Sequence, residues 1–371
     1  MRRLLVVAAL AALAAPAAAR AEDLCVAPKA GCTAPNTFFD LQDALDDAAS
    51  DPDADRVLLA AGLHASATGF VYDDSADVEV AGDPAGGTVL GGGADTILDI
   101  PSAGPDSRIH HLEVDQSGHY GIRSDADLDH VSVVREEDDP GLDRGIVLVG
   151  GADLHDADVF MAHLNGSGQG IEIEAAGSRV TDVTVDADQG IRNDGFATTI
   201  ERVHLTVTER GIAMYGSGSV RDCAIFMRDM EGAIPEGFVA YDSGTVALDG
   251  CSIFAADGYG AGVTVFDGGG QSSLDATGLV VRGFFAPISH GDGAEADIRY
   301  SDFDTEAMWT GTGGSLVVGP GVDYHEDPGW VDEEHGDLRL RGDSPLIDRG
   351  DPAPGPPAWE LDVDRLDRSI D

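Results

Sequence analysis

Apolar or small residues at the spacing i, i+3 and i+5 recur along this chain, and that recurrence restricts its fold more than any other feature. The triplets are Ile109-Leu112-Val114, Leu128-Val131-Val133, Leu154-Ala157-Val159, Val180-Val183-Val185, Ile200-Val203-Leu205, Val220-Cys223-Ile225, Leu248-Cys251-Ile253, Leu274-Thr277-Leu279 and Ile298-Ser301-Phe303. Their first members lie 19 to 28 residues apart. A second marker, Gly followed by an apolar residue, keeps step at Gly121-Ile122, Gly145-Ile146, Gly170-Ile171, Gly190-Ile191, Gly211-Ile212, Gly237-Phe238 and Gly262-Val263. Alternation follows, as in Ile171-Glu172-Ile173, where the outer two face inward and Glu172 faces water. Each unit is two or three short strands joined by turns. None can bury its apolar side alone, and stacking the units makes one continuous core. The Leu/Asn ladder of leucine-rich repeats is missing, and propeller blades need about 40 residues. Helical repeats would show a 3.6-residue period, whereas β-branched residues and Gly dominate here. The fold class is therefore all-β: a single right-handed parallel β-helix of about ten coils. Ile109, Leu128, Leu154, Val180, Ile200, Val220, Leu248 and Leu274 should form one inward column, with rungs about 4.8 Å apart.

With these strands and this coil length the chain resembles the pectin-lyase-like superfamily of β-helix repeat proteins, over roughly residues 36–310. The entry segment agrees. Phe38 to Ala49 carries Phe39, Leu41, Ala44 and Leu45 at helical spacing and should form a short N-terminal capping helix over the open end of the barrel. Val57-Leu58-Leu59 with Ala61-Gly62-Leu63-His64 looks like the family's first strand and its turn. The resemblance implies a fold and says little of chemistry, since the superfamily holds lyases, hydrolases, epimerases, adhesins and inert proteins. A second resemblance lies in Asp327-Pro328-Gly329-Trp330-Val331, Gly336-Asp337-Leu338-Arg339-Leu340 and Ser344-Pro345-Leu346-Ile347-Asp348-Arg349-Gly350. These are similar to the choice-of-anchor Q type tail of bacterial surface β-helices, without the Gly-Ala-Tyr-Glu-like strand that ends such tails.

Four segments follow: 1–21 a signal peptide, 22–35 a Cys-containing segment, 36–310 the β-helix and 311–371 a C-terminal tail or cap. Arg2 and Arg3, the apolar run Leu4 to Ala18 and Ala19-Arg20-Ala21 have the form of an export signal. No later segment approaches the 20 or so apolar residues of a membrane span. The expected location is outside the cell or on its surface. The formal net charge is −46, and loss of the three signal arginines would take it to −49, a surface that repels nucleic acid. Polysaccharide or a surface glycan is the partner class it leaves open. Four Cys in an exported chain permit two disulfides. Cys25 and Cys32 should bridge locally, and Cys223 and Cys251 occupy the same slot of neighbouring units, close enough to pair.

Catalytic signatures are thin. Asn193-Asp194-Gly195 and Ser289-His290-Gly291-Asp292-Gly293 match parts of a polygalacturonase pattern, but about four coils apart and without its paired Asp. Leu128-Asp129-His130-Val131 looks like the Ile-Asp-His of pectate lyases, yet Leu154-His155-Asp156 shows that Asp and His are routine at that turn. No zinc spacing occurs. Asp362, Asp364 and Asp367 offer oxygens to Ca²⁺, the one cofactor the composition leaves open, although Asp367 stands where an EF-hand loop needs Gly.

Loop lengths are more informative. From the third core residue of a unit to the next Gly marker the steps are 7, 12, 11, 5, 6, 12 and 9 residues. The two short coils should form a floor over Val180 to Gly216, between walls at 134–144, 160–169 and 226–236. Outward on that floor are Thr184, Thr206, Gln189, Asp188, Arg192 and Arg210, with Glu172, Asp158 and Arg144 alongside. Arg192 and Arg210 could hold a uronate carboxylate. Gln189, Asp188 and Glu172 could meet sugar hydroxyls, and Tyr120 and Tyr215 are the nearest aromatic platforms. Asp186 with His204 is the one pair suited to proton transfer. The sequence thus favours a scaffold, adhesive or carbohydrate-contacting protein, with a polysaccharide lyase or glycoside hydrolase on an acidic glycan as the alternative.

Overall fold

A computed structural model describes residues 22–26, 37–50, 52–93, 95–135, 143–161, 168–228, 234–242, 244–256, 258–269, 272–324, 327–347 and 349–350. It is a parallel β-helix of about ten coils with one α-helix. In each coil the chain runs through three sheets, here A, B and C, turns, and enters sheet A of the next coil. The column of sheet A runs through Ile109, Leu128, Leu154, Val180, Ile200, Val220 and Leu248, each paired with the next in parallel register.

The triplet spacing is a property of the corner between A and B. Its first member is the last inward residue of A; the other two are inward residues of B. Between them lies one residue in the left-handed conformation: His111, His130, Asp156, Asp182, Arg202, Asp222 and Tyr300, with φ between 47° and 58°. That single residue resets the in–out alternation, so the step is three rather than two. A non-Gly residue at positive φ is uncommon, and Asn, Asp and His tolerate it best, which explains much of the polar corner. In two coils Gly250 and Gly278 take the position. This corrects the eighth unit. Leu248 pairs with Ala276, whereas Leu274 pairs with Val246. The triplet there is Ala276-Leu279-Val281, and Leu274 belongs to the neighbouring inward row.

The Gly marker has an equally local cause. A Cβ at Gly121, Gly145, Gly170, Gly211, Gly237 or Gly262 would lie 2.2 to 2.6 Å from a core Val or Ile side chain of sheet B. These glycines form the corner at the entrance to C, where the backbone itself closes the core.

Cys223 and Cys251 occupy successive rungs with Cα atoms 4.5 Å apart and are joined by a disulfide. Cys25 is also disulfide-bonded; Cys32, its expected partner, lies outside the described residues, as do residues 1–21. The helix spans Leu41–Ala48 and buries Leu41, Ala44, Leu45 and Ala48. Asp40 caps it by accepting from the Gln42 amide at 2.8 Å. Phe39 precedes the cap and is 91% exposed rather than part of the buried face.

The stack is longer than residues 36–310 at both ends. Asp23–Val26 already pairs with Asp55–Leu59, and Ser315–Val318 continues sheet A. Trp330–Asp332 and Asp337–Leu340 then form an antiparallel pair. Trp330 and Leu338 pack on Ala224, Val280 and Phe254, so the hairpin lies against the outside of sheet B. Among the described residues no helix is long and apolar enough to cross a membrane.

Candidate functional site on the third sheet

Outward positions of sheet C form two ladders. The residue two beyond the marker Gly gives Arg123, Val147, Glu172, Arg192 and Ala213 in successive coils. The residue four beyond it gives Asp194, Tyr215, Tyr241 and Phe266. Tyr215 and Tyr241 have ring centroids 5.7 Å apart, and Tyr241 stacks on Phe266 at 5.1 Å with planes 12° apart. Phe266 is 40% exposed. The result is an aromatic track along the helix axis, one ring per coil.

Charged groups at its end are matched pair by pair. Arg192 donates to Asp194 at 3.0 Å, lies 3.7 Å from Glu172 and sits over the Tyr215 ring at 4.9 Å. Burial alone would lower the Arg192 pKa, but the Asp194 hydrogen bond together with the charges of Asp194 and Glu172 raises it. Burial pushes the Glu172 carboxyl up despite the nearby Arg144 and Arg192 guanidiniums. Arg144 pairs with Glu172, donates to the Tyr120 hydroxyl at 2.8 Å and lies over that ring. Arg210 makes two hydrogen bonds to Glu236, at 2.8 and 3.1 Å. No guanidinium here waits for an external carboxylate. Glu174 and Glu209 also lie close enough to act on Glu172 and Arg210, so carboxylates outnumber guanidiniums in the patch.

The remaining predicted residues go elsewhere. Gln189 is in sheet C and donates to Glu209 at 2.8 Å. Asp188 is fully buried; it accepts from the Thr208 hydroxyl at 2.8 Å and the Gly168 amide at 3.3 Å, holding the corner between B and C together. Asp186, Thr184, Thr206, Asp158 and His204 belong to sheet B. Asp186 and His204 are on adjacent strands two residues out of register, since Asp186 pairs with Thr206 and Thr184 with His204. Arg228 holds Asp186 at 2.8 and 3.0 Å. His204 faces the hairpin: Arg339 first, then His204, keep the Asp337 carboxyl low. Arg192 and Arg210 therefore share one sheet while His204 lies on another, so the three do not converge on one depression. Parts of each expected wall, residues 136–142, 162–167 and 229–233, lie outside the described residues.

Tyr241 and Phe266 were missed from sequence although a signal existed, since both fall four residues after a marker Gly, as Tyr215 does. Among the described residues no group of three His, Cys, Asp or Glu side chains could hold a metal ion; Asp362, Asp364 and Asp367 lie outside them. No protein-family model matches this chain, and no curated protein matches it.

Proposed function

We propose that this protein is an exported, carbohydrate-contacting β-helix and that the outer face of sheet C is its glycan-binding surface. The observation that carries the reading is the track Tyr215–Tyr241–Phe266. The apolar face of a pyranose packs on an aromatic ring, and amphipathic aromatics favour a surface that is apolar yet wet. One ring per coil offers apolar contacts along a chain rather than to a single sugar. The adjoining guanidiniums are already paired with carboxylates of this chain, which suits a ligand of hydroxyl groups better than a uronate. The disulfide between Cys223 and Cys251 fits an oxidising compartment, in keeping with the export signal read at residues 1–21.

The test is affinity electrophoresis through gels containing neutral or uronic polysaccharides. The wild type should be retarded by at least one neutral polysaccharide, and Tyr241→Ala with Phe266→Ala should abolish the retardation. Unchanged retardation in that double variant would remove the track from the binding surface. Retardation by uronic gels alone, lost in Arg192→Ala with Arg210→Ala, would return the site to an anionic ligand.

A further inference from the structure

The two ends of the stack differ. At the first coils the helix Leu41–Ala48 covers the core, and the inward residues Leu24, Val26, Val57 and Leu59 are at most 1% exposed. At the other end Ser315–Val318 is the last described rung of sheet A, and among the described residues its strand partner is Glu295–Arg299 alone. Val318 pairs with Ile298, a fully buried member of the inward column, yet is itself 41% exposed. Leu316, Met308, Val322 and Tyr324 are only partly buried against the core.

The backbone of that rung is half used. The Ser315 amide donates to the Ala294 carbonyl and the Gly319 amide to the Ile298 carbonyl. Alternate residues of a parallel strand face opposite neighbours, so Leu316 and Val318 turn their N–H and C=O groups to the open side. Such an edge is a template for another strand, and a solenoid needs a cap at each end.

The chain itself returns to this end. After the hairpin, Arg349 donates to Asp323 at 2.5 Å, beside Asp323–Tyr324, the last rung of sheet B. In every coil sheet B leads to sheet C and then to sheet A. Residues 351–371, outside the described ones, come next. Four of the six residues 352–357 are proline, which cannot donate in a ladder and suits an extended spacer. At about 3.1 Å per residue, 351–358 can reach about 25 Å. A six-residue strand of sheet C such as Ala261–Phe266 is about 20 Å long, so the spacer can pass it. Trp359-Glu360-Leu361-Asp362-Val363-Asp364 then alternates apolar and acidic residues, the pattern of a strand with one face buried.

We propose that residues 359–364 add the final rung of sheet A, pairing with Ser315–Val318 and closing the C-terminal end of the core. Trp359, Leu361 and Val363 turn inward over Leu316 and Val318. Glu360, Asp362 and Asp364 face water, where their charges discourage a further strand from adding to the new edge. The cap is separate from the glycan surface on sheet C, so either can fail without the other.

Hydrogen exchange of the full chain, read residue by residue, tests the cap. The Leu316 and Val318 amides should be protected in the wild type and exchange at least about a hundredfold faster in Leu361→Asp with Val363→Asp. The Ile200 and Val203 amides should exchange alike in both proteins, showing that the stack is intact. Glu360→Gln with Asp362→Asn, on the outward face, should leave the protection of Leu316 and Val318 unchanged. Rapid exchange of these two amides in the wild type, or protection that survives Leu361→Asp with Val363→Asp, would overturn the cap. Protection that falls on dilution would assign the end to a second copy of the chain and overturn it equally.

Discussion

Gly211→Ala tests whether the backbone itself fills the corner at the entrance to sheet C. A Cβ at that position lies 2.2 Å from the carbonyl oxygen of Gly237 and 2.6 Å from Cγ2 of Ile225. Ordinary contact is about 3.5–4.0 Å between carbons, so the neighbours would have to yield by roughly an ångström. Neither is a flexible side-chain tip. Ile225 is fully buried, and the Gly237 oxygen belongs to the backbone of the next rung. Overpacking a filled site costs about 1–3 kcal/mol, and a clash with backbone belongs at the upper end. At an unstrained position the same substitution stabilises by about 0.4–1 kcal/mol through the unfolded chain, so the sign is itself diagnostic. Gly93 supplies the control, because a Cβ there meets nothing within 4 Å. Denaturant unfolding of the two variants should show Gly211→Ala at least about 2 kcal/mol less stable and Gly93→Ala no less stable than wild type. A Gly211→Ala variant within about 0.5 kcal/mol of the Gly93 control would refute the reasoning.

Replacing both Cys223 and Cys251 by Ala removes a cross-link spanning 28 residues, worth about 3–4 kcal/mol in chain-entropy terms; a loss under about 1 kcal/mol in equilibrium unfolding would show that the stack holds this pair of coils without it. Val183, 2% exposed, should not tolerate Asp, because a charge in the inward row has no partner; recovery of folded Val183→Asp protein would contradict the coil assignment. Burial pushes the Asp129 carboxyl up, but hydrogen bonds from His155 and His130 outweigh it and hold the pKa at about 2 against an ordinary 3.8. A depressed folded pKa gives stability that is complete above about pH 4 and lost as the pH falls through about 2. With half-exposed partners the contribution is about 1–2 kcal/mol. Asp129→Asn should flatten the acid limb of the stability profile in that window, and superimposable limbs would exclude this carboxylate as its source.

Much of the candidate site was legible as a list and little of it as a surface. Arg192, Arg210, Glu172 and Gln189 all lie in sheet C, Arg192 and Glu172 after a marker Gly and Gln189 and Arg210 just before one. Asp188 was read as outward, but it falls at the B–C corner, where its carboxylate replaces backbone partners and is buried with them. His204 and Arg192 are 12 residues apart in sequence, in neighbouring coils, and alternation alone makes both outward. Arg192 follows the B–C corner of its coil and His204 follows the A–B corner at Arg202 in the next, which puts them on different sheets. Leu274 was misplaced because Leu274-Thr277-Leu279 matches the triplet spacing by accident, and the left-handed Gly278 marks the true corner.

The sequence by itself determined the rung. One left-handed residue between sheets A and B, and one glycine that closes the core before sheet C, are local requirements of backbone conformation and sterics, so they recur at readable spacing. They carried the all-β class, the inward column and the meeting of Cys223 with Cys251. Only the tertiary structure decided what the outside of the solenoid looks like. Tyr215, Tyr241 and Phe266 become a track only when three coils stack. The hairpin of Trp330 and Leu338 covers sheet B through contacts with Ala224, Phe254 and Val280, which lie 50 or more positions earlier in the chain. Such contacts join parts of the chain that share no periodic pattern, so no spacing in the sequence announces them.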